Sequence, residues 1–244
     1  MSQLVSSLAK VNFSKVFDRF FALCARKIKS ELEGGASSVP TTSASLPSSS
    51  DTTLHAYMSI LSGMLAYADD SILKHADEVI SIIRFANERA LNERSWSITS
   101  RLITRLFLRL TTCWTEDARF VNKDEWNSDH FKKNSHLYWG KVYKRSECNI
   151  DWHVPTQPEL AFVERLISEL LEPTLVALES GVPTSGPPTK AWTNAFCKQL
   201  SFLRHCLDGL YAYYLEDPST KLGGKVASDK GYVHHPNHLT LVPA

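Results

Sequence analysis

The sequence predicts an all-α chain built from antiparallel helix pairs that stack as degenerate repeats. Three observations lead there. Apolar residues recur at spacings of three and four along most of the chain, the period of a helix with one buried stripe. Short polar breaks separate these stretches, so consecutive helices reverse direction and pack as neighbours. No stretch alternates strictly between apolar and polar residues, so no sheet is expected. The pairs follow no strict period, which favours loose helical repeats over tetratricopeptide or ankyrin types.

An N-terminal helix is expected over residues 1–33. Val5, Leu8, Phe13, Val16, Phe17, Phe20, Phe21, Cys24 and Ile28 set its stripe, and Gly34-Gly35 stops it. Residues 34–53 read as a linker. Ala36 to Ser50 are almost all Ser, Thr, Pro and Ala, unable to bury a core, and are expected to be a disordered insertion. Asp51, Thr52 or Thr53 caps the next helix.

Residues 54–216 are expected to hold the repeats. Leu54, Tyr57, Met58, Leu61, Met64, Leu65 and Ala68 form one stripe, Ile72, Ala76, Val79, Ile80 and Ile83 the next, and Leu102, Ile103, Leu106, Phe107 and Leu110 a third. Thr115 to Val154 has no sustained period but carries Trp126, Phe131, Tyr138, Trp139, Tyr143 and Trp152. It reads as a long loop anchored by aromatic side chains, since a disordered loop would be aromatic-poor. Thr156-Gln157-Pro158-Glu159 has capping-box spacing and opens a helix with Leu160, Val163, Leu166, Ile167, Leu170 and Leu171 on its buried face. Pro173 should kink that helix. A connector at Gly181 to Pro188 precedes a last helix from Trp192 to Tyr214, and residues 217–244 form an irregular tail.

Composition excludes little but narrows the field. The 244 residues are 43% hydrophobic and 22% charged, ordinary for a globular chain, and 27 Lys+Arg nearly balance 26 Asp+Glu. Bulk charge therefore demands neither nucleic acid nor membrane as a partner. No apolar run approaches the roughly 20 residues that span a bilayer. Met1 to Lys10 does not have the pattern of a secretory leader. Five widely spaced cysteines, Cys24, Cys113, Cys148, Cys197 and Cys206, fit reduced thiols buried as small apolar groups.

No catalytic constellation emerges, and no cofactor is expected. Gly34-Gly35 and Gly223-Gly224 lack the context of a phosphate loop. His234, His235 and His238 lie together in the tail without a carboxylate or thiol at ligand spacing. His205 and Cys206, adjacent on a helix, point apart and cannot act as base and nucleophile. Arg101, Arg105 and Arg109 share one helix face, and with Lys132 and Lys133 they are the candidate anion-contacting residues. Interleaved acids such as Glu116 and Asp117 favour a solvated face instead.

Trp139-Gly140-Lys141, then Ile150-Asp151-Trp152-His153-Val154-Pro155, then Glu159 opening an amphipathic helix, resembles a signature in the middle region of the large single-chain HEAT-repeat proteasome activators, the bleomycin-resistance-associated family. Leu61-Ser62-Gly63-Met64-Leu65, His205-Cys206-Leu207 and Leu241-Val242-Pro243 fall in matching order around it. The resemblance implies a HEAT-like α-solenoid fragment. Through the whole activator it implies a 20S proteasome core particle as partner, with degradation of peptides and unfolded or acetylated proteins promoted without ubiquitin or ATP. It also implies a nuclear and cytoplasmic location and acetylated histones among the substrates. Some family members bind inositol phosphates, but no Lys or Arg here maps to that ligand. The chain ends Val242-Pro243-Ala244, without the family's gate-acting penultimate Tyr, so gate opening by this chain alone is not expected. Its expected role is architectural. Trp139, Trp152, His153 and Pro155 are the expected keystones of the loop, and Gly140, Lys141, Val154 and Glu159 complete the signature. The competing readings are a generic protein-binding helical scaffold and a nucleic-acid or histone module using the basic middle segment.

Overall fold

The computed structural model describes residues 2–38, 49–115, 128–138, 152–181 and 187–210. Its helices lie in two rows, and the chain alternates between them. α1 (Ser2–Val11), α3 (Ser49–Leu65), α5 (Glu93–Thr111) and α9 (Lys190–Gly209) make one row, each packed on the next. α2 (Phe13–Glu33), α4 (Ala76–Arg89), α7 (Gln157–Leu166) and α8 (Glu172–Ser180) make the other. Stacked helix pairs of this kind are a HEAT-like solenoid segment, as the stripes predict: each helix has one apolar face and buries it between the rows. Phe17, Phe107 and Phe202 are fully buried in that seam. Phe13, Phe17 and Phe21 stack along α2 with ring centroids 4.9 and 4.6 Å apart.

Boundaries differ from expectation in four places. The expected single helix over 1–33 is two helices. Asn12 is extended (φ −154°) and its side chain accepts from the Lys15 amide at 3.1 Å, so an N-cap breaks the run. The linker is shorter than 34–53, because α3 begins at Ser49 and residues 34–38 belong to the fold. Buried Ser37 sits in the left-handed region (φ 58°), held by its amide donating to Asp51 Oδ1 at 2.6 Å. Its hydroxyl accepts from the amides of Leu91 and Asn92, both at 3.1 Å. Asn92 in turn donates to Asp51 Oδ2 and caps α5 through Ser95. One polar clasp thus joins the end of α2, the start of α3 and the α4–α5 turn. Ser37, from the stretch whose composition suggested disorder, is its central member.

The third difference is a two-residue antiparallel ladder, β1 (Trp114–Thr115) on β2 (Trp152–His153), where no sheet was expected. Two residues are too short for an alternation to show in sequence. The fourth is at Pro173. The kink is a π-helical turn, Ile167–Leu171, after which the helix resumes as α8. Proline cannot donate to the Glu169 carbonyl. Arg84 Nη2 lies 3.5 Å from that oxygen and 2.8 Å from the Glu169 carboxylate instead.

α5 is buried along most of its circumference, with α3 and α9 beside it and α4 and α7 across the seam. Its buried hydroxyls answer to its own backbone: Thr99 donates to Ser95 O at 3.0 Å, Ser100 to Trp96 O and Thr111 to Phe107 O, both at 2.8 Å. Thr104 donates across the row to His205 O at 2.8 Å. Small groups at this crossing let the backbones approach. A Cβ on Gly209 would lie 2.8 Å from Phe107 Cβ, 2.9 Å from Thr104 O and 3.0 Å from Thr104 Cα.

Cys24 and Cys206 are buried and Cys113 half-buried, in keeping with structural thiols, whereas Cys197 is exposed; Cys148 lies outside the described residues. Burial pushes the Cys24 thiol up to about 11 and that of Cys206 further, so neither is a thiolate at neutral pH. No helix among the described residues is long and apolar enough to cross a membrane.

Gly209→Ala tests the close approach. In an exposed helix the change would stabilise by about 1 kcal/mol. Here the new methyl meets main-chain atoms that cannot rotate away, and a loss of about 1–3 kcal/mol is expected in urea unfolding followed by circular dichroism. Equal or greater stability would show that α5 and α9 are not in backbone contact.

Candidate functional site

Polar chemistry converges at the base of the long loop, where α5 ends and α7 begins. α5 stops at Thr111, and the chain turns directly into β1. The return strand β2 pairs Trp114 with His153 and Thr115 with Trp152. The ladder closes the two ends of the loop, so its base is fixed to the solenoid.

The Trp114 ring has two stacking partners. The Arg109 guanidinium carbon lies 3.2 Å from its centroid, and the His153 ring lies 4.4 Å away at 22°. At those distances the two can only occupy opposite faces. Arg109 Nε also donates to Ala68 O at 2.8 Å, tying the stack to the turn after α3. Burial lowers the Arg109 pKa to about 10, with Asp69, Tyr67 and Glu159 opposing the shift, so it remains a cation at neutral pH.

His153 Nε2 lies 3.0 Å from both oxygens of Glu159, which is 1% exposed. Glu159 Oε2 also accepts from the amide and the hydroxyl of Thr156, each at 2.8 Å. Burial alone would raise this carboxyl, but bonds from His153 and Thr156 outweigh it and hold it below the ordinary value. An ionised Glu159 only accepts, so His153 Nε2 must carry the proton. The carboxylate therefore serves as the backward-reaching arm of the capping box and as the anchor of β2 at once. Leu160, Val163 and Leu166, one turn on, are buried. Among the described residues the arrangement holds no nucleophile. What it does is lock a strand pair to a helix N-terminus.

The sequence-derived candidates divide accordingly. His153 and Glu159 are brought together, Val154 is half-buried and Pro155 buried beside them. The backbone of Trp152 is in β2. Trp139, Gly140 and Lys141 lie outside the described residues, as do His234, His235 and His238. Arg101 and Arg105 line a shallow cleft of about 220 Å³ with Ser2, Gln3, Ser6, Ser59 and Ser62. Arg105 Nη1 donates to Ser62 O at 2.8 Å. Lys132 and Lys133 are on a separate short helix, α6 (Asp129–Asn134), where Lys132 lies 3.6 Å from Asp129. Arg109 belongs to the aromatic stack, apart from the cleft that Arg101 and Arg105 line. Among the described residues no group of three or more His, Cys, Asp or Glu could hold a metal ion. Sequence reasoning missed Trp114. Its only signal is an aromatic just past the end of a periodic stripe.

The two alternating rows and a site devoted to anchoring a loop define a helical-repeat scaffold. The sequence matches the family described as proteasome activator complex subunit 4, mid HEAT repeats region, over residues 1–212. The chain belongs to that family. It is also 26% identical over 152 residues to the proteasome activator BLM10 of Saccharomyces cerevisiae. That alignment takes in 59% of this chain but only 7% of the relative.

Two measurements test the site. Trp114→Ala removes both stacking faces and should cost about 2–4 kcal/mol in thermal or urea unfolding. A change within about 0.5 kcal/mol, the range of ordinary surface substitutions, would reduce the stack to decoration. Glu159→Gln should cost about 2 kcal/mol at neutral pH, the worth of charge-assisted hydrogen bonds. Because the folded carboxyl titrates below its ordinary value of 4.5, its stabilisation is complete above that pH and is lost as pH falls through the lower folded value. The gap between wild type and variant should therefore close below pH 4.5, and a gap that widens on acidification would reverse the assignment.

Proposed function

We propose that this chain is an architectural segment of a proteasome activator that caps the 20S core particle and promotes ubiquitin- and ATP-independent degradation of peptides and of unfolded or acetylated proteins. The observation that carries the reading is the family match over residues 1–212, which runs through every helix of both rows. The build supports it. The polar groups at the loop base and in the Ser37 clasp tie elements to one another, as a wall requires, and none is left as an acid, base or nucleophile facing a cleft. In this reading hydrolysis belongs to the proteasome core. The segment works in nucleus and cytoplasm, and acetylated histones are among the substrates that pass. No inositol phosphate ligand is assigned to Arg101, Arg105 or any other residue.

Native-gel immunoblotting of a cell extract, with an antibody raised against residues 139–155, tests this. Signal is expected on a band that comigrates with the proteasome core and is lost when the core is depleted. Signal confined to species that never comigrate with the core would overturn the reading in favour of a helical scaffold with another partner.

A further inference from the structure

A buried polar side chain with an unpartnered atom lines one cleft of the first row. His55, in the second turn of α3, is 6% exposed, and its Nδ1 has no hydrogen-bond partner. The ring borders a cleft of about 350 Å³ walled by Thr52, Ala56, Ser59 and Ile60 of α3 and by Arg94 of α5, with the start of α1 at its edge.

The tautomer of the ring follows from the hydroxyl beside it. His55 Nε2 lies 2.8 Å from Ser95 Oγ, and Ser95 is fully buried. Among the described residues that hydroxyl has the ring as its one partner. A buried O–H needs an acceptor, so it donates to Nε2, and Nδ1 carries the ring hydrogen. The opposite tautomer would leave two groups unpaired, the hydroxyl and Nδ1, instead of one. Burial, with the Arg94 charge adding to it and Asp51 opposing, lowers the pKa of the ring and keeps it neutral.

The unpartnered atom is thus an N–H donor, and its surroundings favour negative charge. Arg94 is exposed and has no hydrogen-bond or ion-pair partner among the described residues. It is the second residue of α5, and Thr52 stands in the first turn of α3, so the positive ends of two helix dipoles meet at the cleft. Asp51 is near, but its carboxylate accepts from the Ser37 amide and the Asn92 side chain, and neither it nor Glu93 lines the cleft. One guanidinium and one neutral N–H match the single charge and two oxygens of a carboxylate. A polyphosphate would find one cation for its many charges. Ala56 and Ile60 offer apolar surface to an alkyl group attached to the carboxylate.

We propose that this cleft binds a carboxylate, with Arg94 pairing with its charge and His55 Nδ1–H as the buried donor. The ligand is a short aliphatic acid or the C-terminus of a peptide, one chemistry from two sources. The inference stands apart from any contact with the proteasome.

NMR on the full chain tests both parts. Long-range proton–nitrogen spectra should show His55 protonated on Nδ1 at neutral pH, and an Nε2-protonated ring overturns the proposal. Titration with butyrate, with the tripeptide Gly-Ala-Val and with its C-terminal amide, in about 0.15 M salt to screen loose ion pairing, tests the ligand. At least one of the two free acids should shift the His55 ring and Arg94 Nε signals saturably, and the amide should not. Tighter binding of the tripeptide assigns the site to peptide C-termini, and equal or tighter binding of butyrate assigns it to free acids. No saturable shift with either acid overturns the proposal, as does an amide that binds as well as its acid. Arg94→Gln, an exposed change that should leave circular dichroism unaltered, should weaken binding at least about tenfold. Arg204→Gln, the same loss of charge on the exposed side of α9, should not. Equal losses in the two variants would reduce the effect to overall charge and overturn the site.

Discussion

A stack of short helices has to satisfy many helix ends, and the carbonyls at their C-termini have no partner within their own helix. In this molecule cations from neighbouring elements supply donors there. Arg105 of α5 donates to Ser62 O in the last turn of α3, and Arg109 of α5 to Ala68 O just beyond it. Lys198 of α9 donates to Glu88 O at the end of α4 at 3.2 Å. Arg84 of α4 lies 3.5 Å from the Glu169 carbonyl, to which Pro173 cannot donate. The contacts at Ser62, Ala68 and Glu88 place positive charge near the negative end of a helix dipole. Each also fixes the position of one helix along its neighbour, which apolar packing alone specifies loosely.

The cost of this arrangement falls on the cations. Burial lowers the Lys198 ammonium to about 8, with the Glu88 charge opposing the shift, and lowers Arg109 to about 10. Both remain charged at neutral pH, so both keep their donors. Arg109 is helped by the Trp114 face, which favours a cation without competing for its hydrogen bonds. The same side chain therefore closes the turn after α3 and carries the stack that seats β1. Through His153 and Glu159 the connection runs on to α7. Loop base, first row and second row are one mechanical unit because single residues serve two contacts.

Much of this could be read in the sequence, for identifiable reasons. Stripes such as Leu102, Ile103, Leu106, Phe107 and Leu110 declare a helix because burial on one face imposes its period. Thr156 and Glu159 declare a capping box because both partners are local. The Ser37 clasp could not be read. Its members, Ser37, Asp51 and Asn92, are far apart in the chain, and a Ser/Thr/Pro-rich neighbourhood favours disorder on composition alone. Trp114 was passed over for a similar reason, since Arg109 and His153 recognise it only once the fold has brought them together. The break at Asn12 was legible in principle. An Asn followed three residues later by an amide it can cap is a start signal, but the apolar spacing running through it from Val5 to Phe21 masked it.

The same logic bears on what kind of work the molecule does. An active site needs polar groups held out of pairing until a substrate arrives. Here His55, buried and 2.8 Å from Ser95 Oγ, is kept below its ordinary pKa by burial and by Arg94, a neutral ring packed between helices. Glu159 has its acceptors occupied by His153 and Thr156, and Arg109 and Lys198 are bound to carbonyls. The buried titratable groups that could be tuned for chemistry are committed to geometry instead. Among the described residues, His55 Nδ1 and Trp114 Nε1 are buried without a hydrogen-bond partner, but neither faces a nucleophile. With Glu159, Arg109 and Lys198 spent on helix ends and strands, the described residues are built to hold a shape.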